Sequence, residues 1–86
     1  MNLPFLLKTM YLTIYTIAKT LFSGHVERVE LPGRAGSFTI LTDHAPLVST
    51  LGKGLIRYTP HTDTDTLPIE SGLVKVANNE IVVLVG

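Results

Sequence analysis

Residues 32–54 read PGRAGSFTILTDHAPLVSTLGKG, and this stretch decides the fold. Two short runs rich in aliphatic residues and Thr, at 37–41 and 47–51, are separated by Gly and Pro, which is typical of β-strands joined by tight turns. Pro46 has no backbone N–H to donate to a sheet, so we expect it at an edge or at the start of a strand. The segment therefore predicts β-structure without a helix.

The same alternation of apolar and polar side chains extends to both ends of the chain. Residues 11–16 alternate with period two, which puts Leu12 and Ile14 on one buried face. Residues 81–85 are apolar on both faces, so this last strand is expected to be central or covered. Further short strands are expected at residues 55–58, 67–70 and 73–76.

Residues 25–31 form another expected strand, with Val29 and Leu31 on its buried side. Val26 is out of step with this alternation, which predicts a β-bulge. The strands follow one another without the helical crossovers that parallel pairing requires. The sequence thus predicts an all-β fold, an antiparallel β-sandwich or flattened barrel of about ten short strands.

The composition limits the classes of function. The 86 residues include 7 Lys and Arg against 7 Asp and Glu, no cysteine, and 16% charged residues. One small domain is expected, without disulfides or a thiolate zinc site. A net charge of zero argues against nucleic acid as a partner. Because charged residues usually make up about 25% of a soluble domain, part of this surface is expected to face a partner.

The N-terminus is apolar, and we interpret it separately from the domain. Residues 1–9 are interpreted as an N-terminal extension, either a disordered tail or the product of a start site placed ahead of Met10. Residues 10–86 are the predicted domain. A signal peptide is not favoured, because Lys8 follows the apolar run and no small-residue cleavage site is found. No apolar run approaches the roughly 20 residues that span a bilayer.

No catalytic, cofactor-binding or metal-binding set of residues is expected. Asp43 and His44 are neighbours that would point to opposite faces of a strand, so without a turn between them they could not make half of a catalytic triad. A loop Asp beside an exposed or interface His is the favoured interpretation. His61, Asp63 and Asp65 alternate and could gather a divalent cation, but a solvated hairpin loop is the favoured interpretation.

Motifs on both sides of residues 32–54 complete a resemblance. The central stretch has a Gly-x-x-Gly turn, a short strand, His-Ala-Pro-Leu at 44–47 and a Gly-containing connection. Residues 21–26 match a Phe-Ser-Gly-x-Val piece, and residues 71–84 match a final hairpin. In this order and spacing, the motifs over residues 10–86 resemble the N-terminal domain of the epsilon subunit family of F-type ATP synthases, called delta in mitochondria.

The resemblance implies a β-sandwich of two five-stranded sheets with no catalytic activity of its own. It implies a central-stalk rotor subunit that links the gamma subunit to the membrane c-ring and supports coupling of H+ or Na+ transport to ATP synthesis. Its implied location is peripheral, on the cytoplasmic face of the bacterial inner membrane, held through the c-ring without insertion. Because relatives continue into a C-terminal helical hairpin, a chain of 86 residues is expected to lack that hairpin and its inhibition of ATP hydrolysis.

The resemblance also implies two sets of contact residues. The set on the gamma side is Thr16, His44, Ala45, Pro46, Leu47 and Ser49. The set on the c-ring side is Arg34, Ala35, Gly36 and Ser37. Many relatives have an acidic residue where Ser37 stands, so Arg34 is expected to contribute to the c-ring contact instead.

Two other classes of function stay open at this point. One is a free-standing β-sandwich ligand-binding module, for which Tyr11 and Tyr15 are the only aromatic pair on one strand face. The other is a metal-dependent enzyme that uses His61, Asp63 and Asp65. The ligand-binding module is the main alternative to the rotor subunit.

Overall fold

The structure is a computed structural model that describes residues 9–86, and the interpretation of residues 1–8 as part of an extension lies outside the described residues. The all-β class is confirmed, with nine strands in the described part of the chain where about ten were expected. The strands are Met10–Tyr15 (β1), Thr20–Val26 (β2), Arg28–Gly33 (β3), Gly36–Ile40 (β4), Leu47–Leu51 (β5), Gly54–Thr59 (β6), Asp65–Ile69 (β7), Gly72–Ala77 (β8) and Glu80–Val85 (β9). No helix long and apolar enough to cross a membrane occurs within residues 9–86.

The nine strands form one curled sheet in the order β2-β1-β9-β8-β5-β3-β6-β7, with β4 on the other edge of β3. The curl occurs where β5 leads into β6. Glu30 of β3 pairs with Arg57 of β6, whereas Gly33 of β3 pairs with Leu51 of β5. The result is a half-barrel in which the two sheets implied by the resemblance are continuous.

One strand pair corrects the expectation of antiparallel pairing. β1 and β9 run parallel, with Leu12 opposite Ile81 and Ile14 opposite Val83. A parallel pair needs a long connection, and here the chain between β1 and β9, with its seven intervening strands, provides it. Periodicity in neighbouring segments carries no information about this pairing of the first and last strands.

The predicted bulge at Val26 is wrong, because the chain turns a corner there. β2 ends at Val26, β3 begins two residues later, and both Val26 and Val29 are buried. Glu27 lies at the corner and its N–H donates to the carbonyl oxygen of Thr59 at 2.8 Å. The break in alternation therefore marks the passage from one strand to the next.

The concave side of the curled sheet holds an apolar core. The predicted burial of Leu12, Ile14, Val29 and Leu31 is confirmed, and no polar or charged side chain is buried among residues 9–86. β9 lies centrally between β1 and β8, as expected of a strand that is apolar on both faces. The buried residues are Met10, Leu12, Ile14, Val26, Val29, Leu31, Ile40, Leu51, Ile56, Tyr58, Ile69, Val74, Val76, Ile81, Val83 and Val85.

The strand directions give the half-barrel two ends, separated by about 20 Å for a six-residue strand. We call one the Asn79 end, where β4 leads to β5, β6 to β7 and β8 to β9. Its loops are residues 41–46, 60–64 and 78–79. We call the other the Arg34 end, and its loops are residues 16–19, 34–35, 52–53 and 70–71.

Gly33 lies where the β3–β4 hairpin allows no side chain. A Cβ at this position would be 2.5 Å from the carbonyl oxygen of Gly36 and 2.7 Å from the ring of Phe38. Because the Gly36 oxygen belongs to the paired backbone, Gly33→Ala is expected to lower the free energy of unfolding by about 2 kcal/mol or more in urea denaturation. Gly52→Ala is the matched control, because its nearest neighbour is 3.9 Å away. Equal losses in the two variants would contradict this account.

Candidate functional site

The predicted gamma-side residues do not lie together. His44, Ala45 and Pro46 are in the loop at the Asn79 end, just ahead of Leu47, the first residue of β5. Thr16 follows β1 and lies at the Arg34 end. A partner that contacts both must therefore extend along the strands that join the two ends.

Thr16 has a structural task in the β1–β2 loop. Its hydroxyl oxygen accepts hydrogen bonds from the N–H groups of Ala18 and Lys19, each at 3.1 Å. This arrangement builds the turn and leaves Ile17, which is 98% exposed, at its tip. A partner at this loop would meet Ile17, a residue that the sequence analysis did not single out.

Ser49 is in the middle of β5, on the side that faces the core. It pairs with Val74, which is fully buried, and its hydroxyl donates to the carbonyl oxygen of Thr50 at 3.3 Å. Val48, which is 65% exposed, and Thr50 are on the opposite side of the strand. On β5, the outward-facing side chains near Ser49 are therefore Val48 and Thr50.

The loop that contains His44 is tied to the β8–β9 turn. The N–H of Asp43 donates to Oδ1 of Asn79 at 2.6 Å, and Nδ2 of Asn79 donates to Oδ1 of Asp43 at 3.1 Å. Asn78 and Asn79 have φ of 52° and 60°, and Asn is one of the residues that tolerate the positive φ of a tight hairpin turn. A cavity of about 380 Å³ between loop and turn is lined by Asp43, His44, Pro46, Asn78 and Asn79.

His44 has one ring nitrogen committed within the loop. Nδ1 lies 2.7 Å from the carbonyl oxygen of Ala45. Because a carbonyl oxygen only accepts, Nδ1 carries the proton and donates it in this contact. In the neutral ring Nε2 is then an acceptor for a donor on a partner.

The predicted c-ring residues form a compact exposed turn. Arg34, Ala35, Gly36 and Ser37 are all exposed at the tip of the β3–β4 hairpin. Main-chain hydrogen bonds join this part of the hairpin to the end of β5. They run from the Arg34 N–H to the Thr50 oxygen at 3.1 Å and from the Gly52 N–H to the Pro32 oxygen at 2.9 Å. This set is brought together by the fold and projects at the Arg34 end.

An exposed apolar surface runs along the convex side of β1, β9, β8 and β5. In register, Tyr15 lies opposite Leu84, Leu84 opposite Leu73, and Lys75 lies between Val82 and Val48. Val48, Leu73 and Val82 are exposed, Tyr15 and Leu84 are half-buried, and the charged Lys75 separates Val48 from the others. A cluster of partly exposed apolar side chains typically marks a contact with another molecule. We call this surface the outer apolar face, and its members are Tyr15, Val48, Leu73, Val82 and Leu84.

The outer apolar face lies between the predicted gamma-side residues at the Asn79 end and those at the Arg34 end. Val48 follows directly after Leu47 at the Asn79 end, and Leu73 and Leu84 line a depression with Ile17 at the Arg34 end. Leu73 is 46% exposed. The signal in the sequence was the second apolar side of the last strand, but strand register is needed to assemble the face.

The residues considered for metal binding do not assemble. His61 and Asp63 are exposed in the β6–β7 loop, and Asp65 begins β7 opposite Tyr58. Within residues 9–86, no group of three His, Asp or Glu side chains could hold a metal ion. An ion pair joins Arg57 and Glu30 at 4.0 Å, with both side chains well exposed, so it contributes little to stability.

Comparison with known proteins identifies the family. The sequence model for "ATP synthase, Delta/Epsilon chain, beta-sandwich domain" matches residues 9–86. The chain is 41% identical over 78 residues to the ATP synthase epsilon chain of Acaryochloris marina, covering 88% of this chain and 56% of that protein. It is 38% identical over 77 residues to that of Prochloron didemni, covering 90% and 57%.

The fold defines the chain as a small β-sandwich-type domain with an exposed apolar face. The chain belongs to the ATP synthase delta/epsilon chain β-sandwich domain family, which confirms the resemblance. It spans little more than half the length of the curated relatives it matches.

Solved structures show the same fold at low sequence identity. A chain in a cryo-EM structure of the Euglena gracilis mitochondrial ATP synthase, OSCP/F1/c-ring in rotational state 1, matches with a TM-score of 0.86 and 17% identity, over 99% of this chain and 53% of that chain. A chain of the Tetrahymena thermophila central stalk/c-ring matches with a TM-score of 0.74 and 19% identity, over 91% and 63%.

Tyr58 is the group in which burial changes acidity. Its side chain packs against Phe22, with ring centroids 4.5 Å apart, and burial raises the pKa of its hydroxyl, with a further contribution from the carboxylate of Asp65. The contribution of the neutral Tyr58 hydroxyl to folding stability is fully present below the ordinary pKa of about 10. It is lost as the pH rises through the raised pKa of the folded protein.

Tyr58→Phe removes this ionisation and keeps the ring. We expect the free energy of unfolding of the variant to fall less steeply above pH 10 than that of the parent. Urea denaturation at intervals between pH 9 and pH 11 measures the difference in slope, because the other ionisable groups are common to both proteins. Parallel curves would contradict the assignment.

Proposed function

We propose that this domain is a non-catalytic central-stalk subunit of an F-type ATP synthase, and that it links the gamma subunit to the c-ring. The observation that carries the proposal is the outer apolar face, a cluster of partly exposed apolar side chains on four neighbouring strands in a chain of this family. The two similar solved structures contain a c-ring, and one is described as central stalk/c-ring.

The gamma subunit is proposed to lie along the outer apolar face. It would meet His44, Ala45, Pro46 and Leu47 at the Asn79 end and the loop of Thr16 at the Arg34 end. Ser49 faces the core, so it would contribute to this contact only through the main chain of β5, next to Val48. An elongated partner is required, because these contacts span about 20 Å.

The c-ring is proposed to meet the exposed turn of Arg34, Ala35, Gly36 and Ser37. The domain would then act as a stiff connection, because a closely packed interior deforms little when torque is applied at one surface. Its location would be peripheral, on the cytoplasmic face of the bacterial inner membrane, through the c-ring. Residues 10–86 are proposed as the domain that makes both contacts, without a cofactor or a metal.

A carboxylate introduced into the outer apolar face tests the gamma contact. Leu73→Glu is expected to weaken binding to the gamma subunit by about 2 kcal/mol or more, because the cross-strand neighbours of residue 73 are Leu84 and Thr50, so an unpaired charge would be buried at the interface. Leu55→Glu is the matched control, since Leu55 is 42% exposed on β6, away from this face. Isothermal titration calorimetry with purified gamma subunit measures both, and equal effects would contradict the proposed surface.

Charge reversal at the turn tests the c-ring contact. Arg34→Glu is expected to weaken association of the domain–gamma complex with detergent-solubilised c-ring several-fold, and less so at high salt, because an exposed charge is screened. Arg28→Glu makes the same change at the Asn79 end and is expected to have no effect on this association. A c-ring affinity that is the same in both variants would remove Arg34 from the contact.

A further inference from the structure

The loop that contains His44 begins with a β-turn in which one residue has a positive φ, the conformation that glycine adopts most readily. The N–H of His44 donates to the carbonyl oxygen of Leu41 at 3.2 Å, which closes a four-residue β-turn. Asp43 is the third residue of this turn and has φ of 64°. A positive φ at that position favours Gly, and Asp is among the few other residues that adopt it, at some conformational cost that hydrogen bonds to its surroundings can offset.

Asn79 provides that support from another part of the chain. Its side-chain amide makes two hydrogen bonds to Asp43, accepting from the N–H through Oδ1 and donating to the carboxylate through Nδ2. The orientation of the amide is set by its partners, because an N–H can only donate and a carboxylate can only accept. The backbone of Asn79 is held separately, since its carbonyl oxygen accepts from the N–H of Tyr11 at 2.9 Å.

We propose that Asn79 is a positioning residue for the gamma-binding loop: its side-chain amide locks the turn at Asp43, so that His44, Ala45 and Pro46 are held in one arrangement before the partner arrives. The inference rests on the proposed function and adds a residue to it. Asn79 lies 33 residues or more from the loop in sequence. It does not need to touch the gamma subunit.

Locking the loop raises affinity without adding a contact. If the loop is in the binding arrangement for only a fraction of the time, the apparent Kd increases by the inverse of that fraction. Loss of the amide removes both hydrogen bonds between Asn79 and Asp43, so we expect a variant without it to bind the gamma subunit about tenfold more weakly.

The substitution that isolates the side chain is Asn79→Gly. Glycine adopts the φ of 60° freely, so the turn keeps its backbone while the amide is lost. Asn78→Gly is the matched control, because Asn78 has φ of 52° in the same turn, whereas both side-chain hydrogen bonds described above come from Asn79. Both variants carry the same increase in unfolded-chain freedom.

The first measurement uses the free chain and needs no partner. Amide hydrogen exchange by NMR is expected to show loss of protection at Asp43 in Asn79→Gly, while the amide of Tyr11 and the core strands stay protected. Asn78→Gly is expected to keep the protection at Asp43. If Asp43 exchanges equally in the two variants, the lock at Asn79 is wrong, whatever the partner does.

A charge exchange supplies the rescue. Asn79→Asp places two carboxylates together and is expected to release the loop, because they repel each other. Adding Asp43→Asn restores an amide and a carboxylate in reversed positions, and Asn tolerates positive φ. The double variant is expected to recover protection at residue 43. No recovery would overturn the proposed pairing.

The second measurement is the affinity of each chain for purified gamma subunit. We expect about a tenfold rise in Kd for Asn79→Gly, less than a twofold rise for Asn78→Gly, and recovery in the charge-exchanged chain. If Asn79→Gly loses protection at Asp43 and still binds as the parent does, the positioning role is overturned. If the parent chain does not bind the gamma subunit, the proposed function fails, and the exchange data still decide whether Asn79 locks the loop.

Discussion

The shape of the domain depends on how the backbone of β3 is shared. β4 pairs with β3 from Val29 to Gly33, while the opposite edge is divided between β6 and β5. Because β5 and β6 are consecutive, the chain must bend as it passes from one to the other along β3. The bend makes the sheet curl, and the curl encloses the apolar core.

The parallel pair of β1 and β9 completes the surface on which the proposed function rests. β9 is the link between β8 and β1, so the pairing adds β1 and β2 to the convex side. Tyr15 comes to lie beside Leu84 through this pairing. The outer apolar face is thus assembled from strands that are far apart in sequence, and Tyr15 belongs to it only because β1 pairs with β9.

Local patterns in the sequence predicted the faces of the strands well and their arrangement poorly. The burial of Leu12 and Ile14 follows from alternation within one strand, which depends only on the two-residue period of a pleated chain. The parallel partner of β1 and the corner at Glu27 depend on which segments meet in space. Nothing within six or seven residues specifies that meeting, so the predicted bulge at Val26 was a local explanation for a change of strand.

The candidate site divides in the same way. A motif that is contiguous in sequence, such as the turn from Arg34 to Ser37, stays together in the fold, so its location could be predicted. Thr16 and His44 were grouped through the resemblance, and the fold places them at opposite ends. Ile17 and Asn79 carried no signal that alternation or composition could detect, because their importance comes from a turn that exposes one and a loop that contacts the other.

The hairpin turn that contains Arg34 and the loop that contains His44 are held by different kinds of hydrogen bond, and this difference bears on how each contact can evolve. At the Arg34 end the hairpin is fixed by main-chain bonds through Thr50 and Pro32, which survive most changes of side chain. At the Asn79 end the loop depends on one pair of side chains in addition to its backbone turn. The turn that faces the c-ring in the proposed assembly can therefore change its charge, as the Ser at position 37 and the Arg at position 34 indicate, without losing its shape. In the same proposed assembly, the loop that faces the gamma subunit is held partly by the match between residues 43 and 79, so its tolerance to substitution depends on the pair.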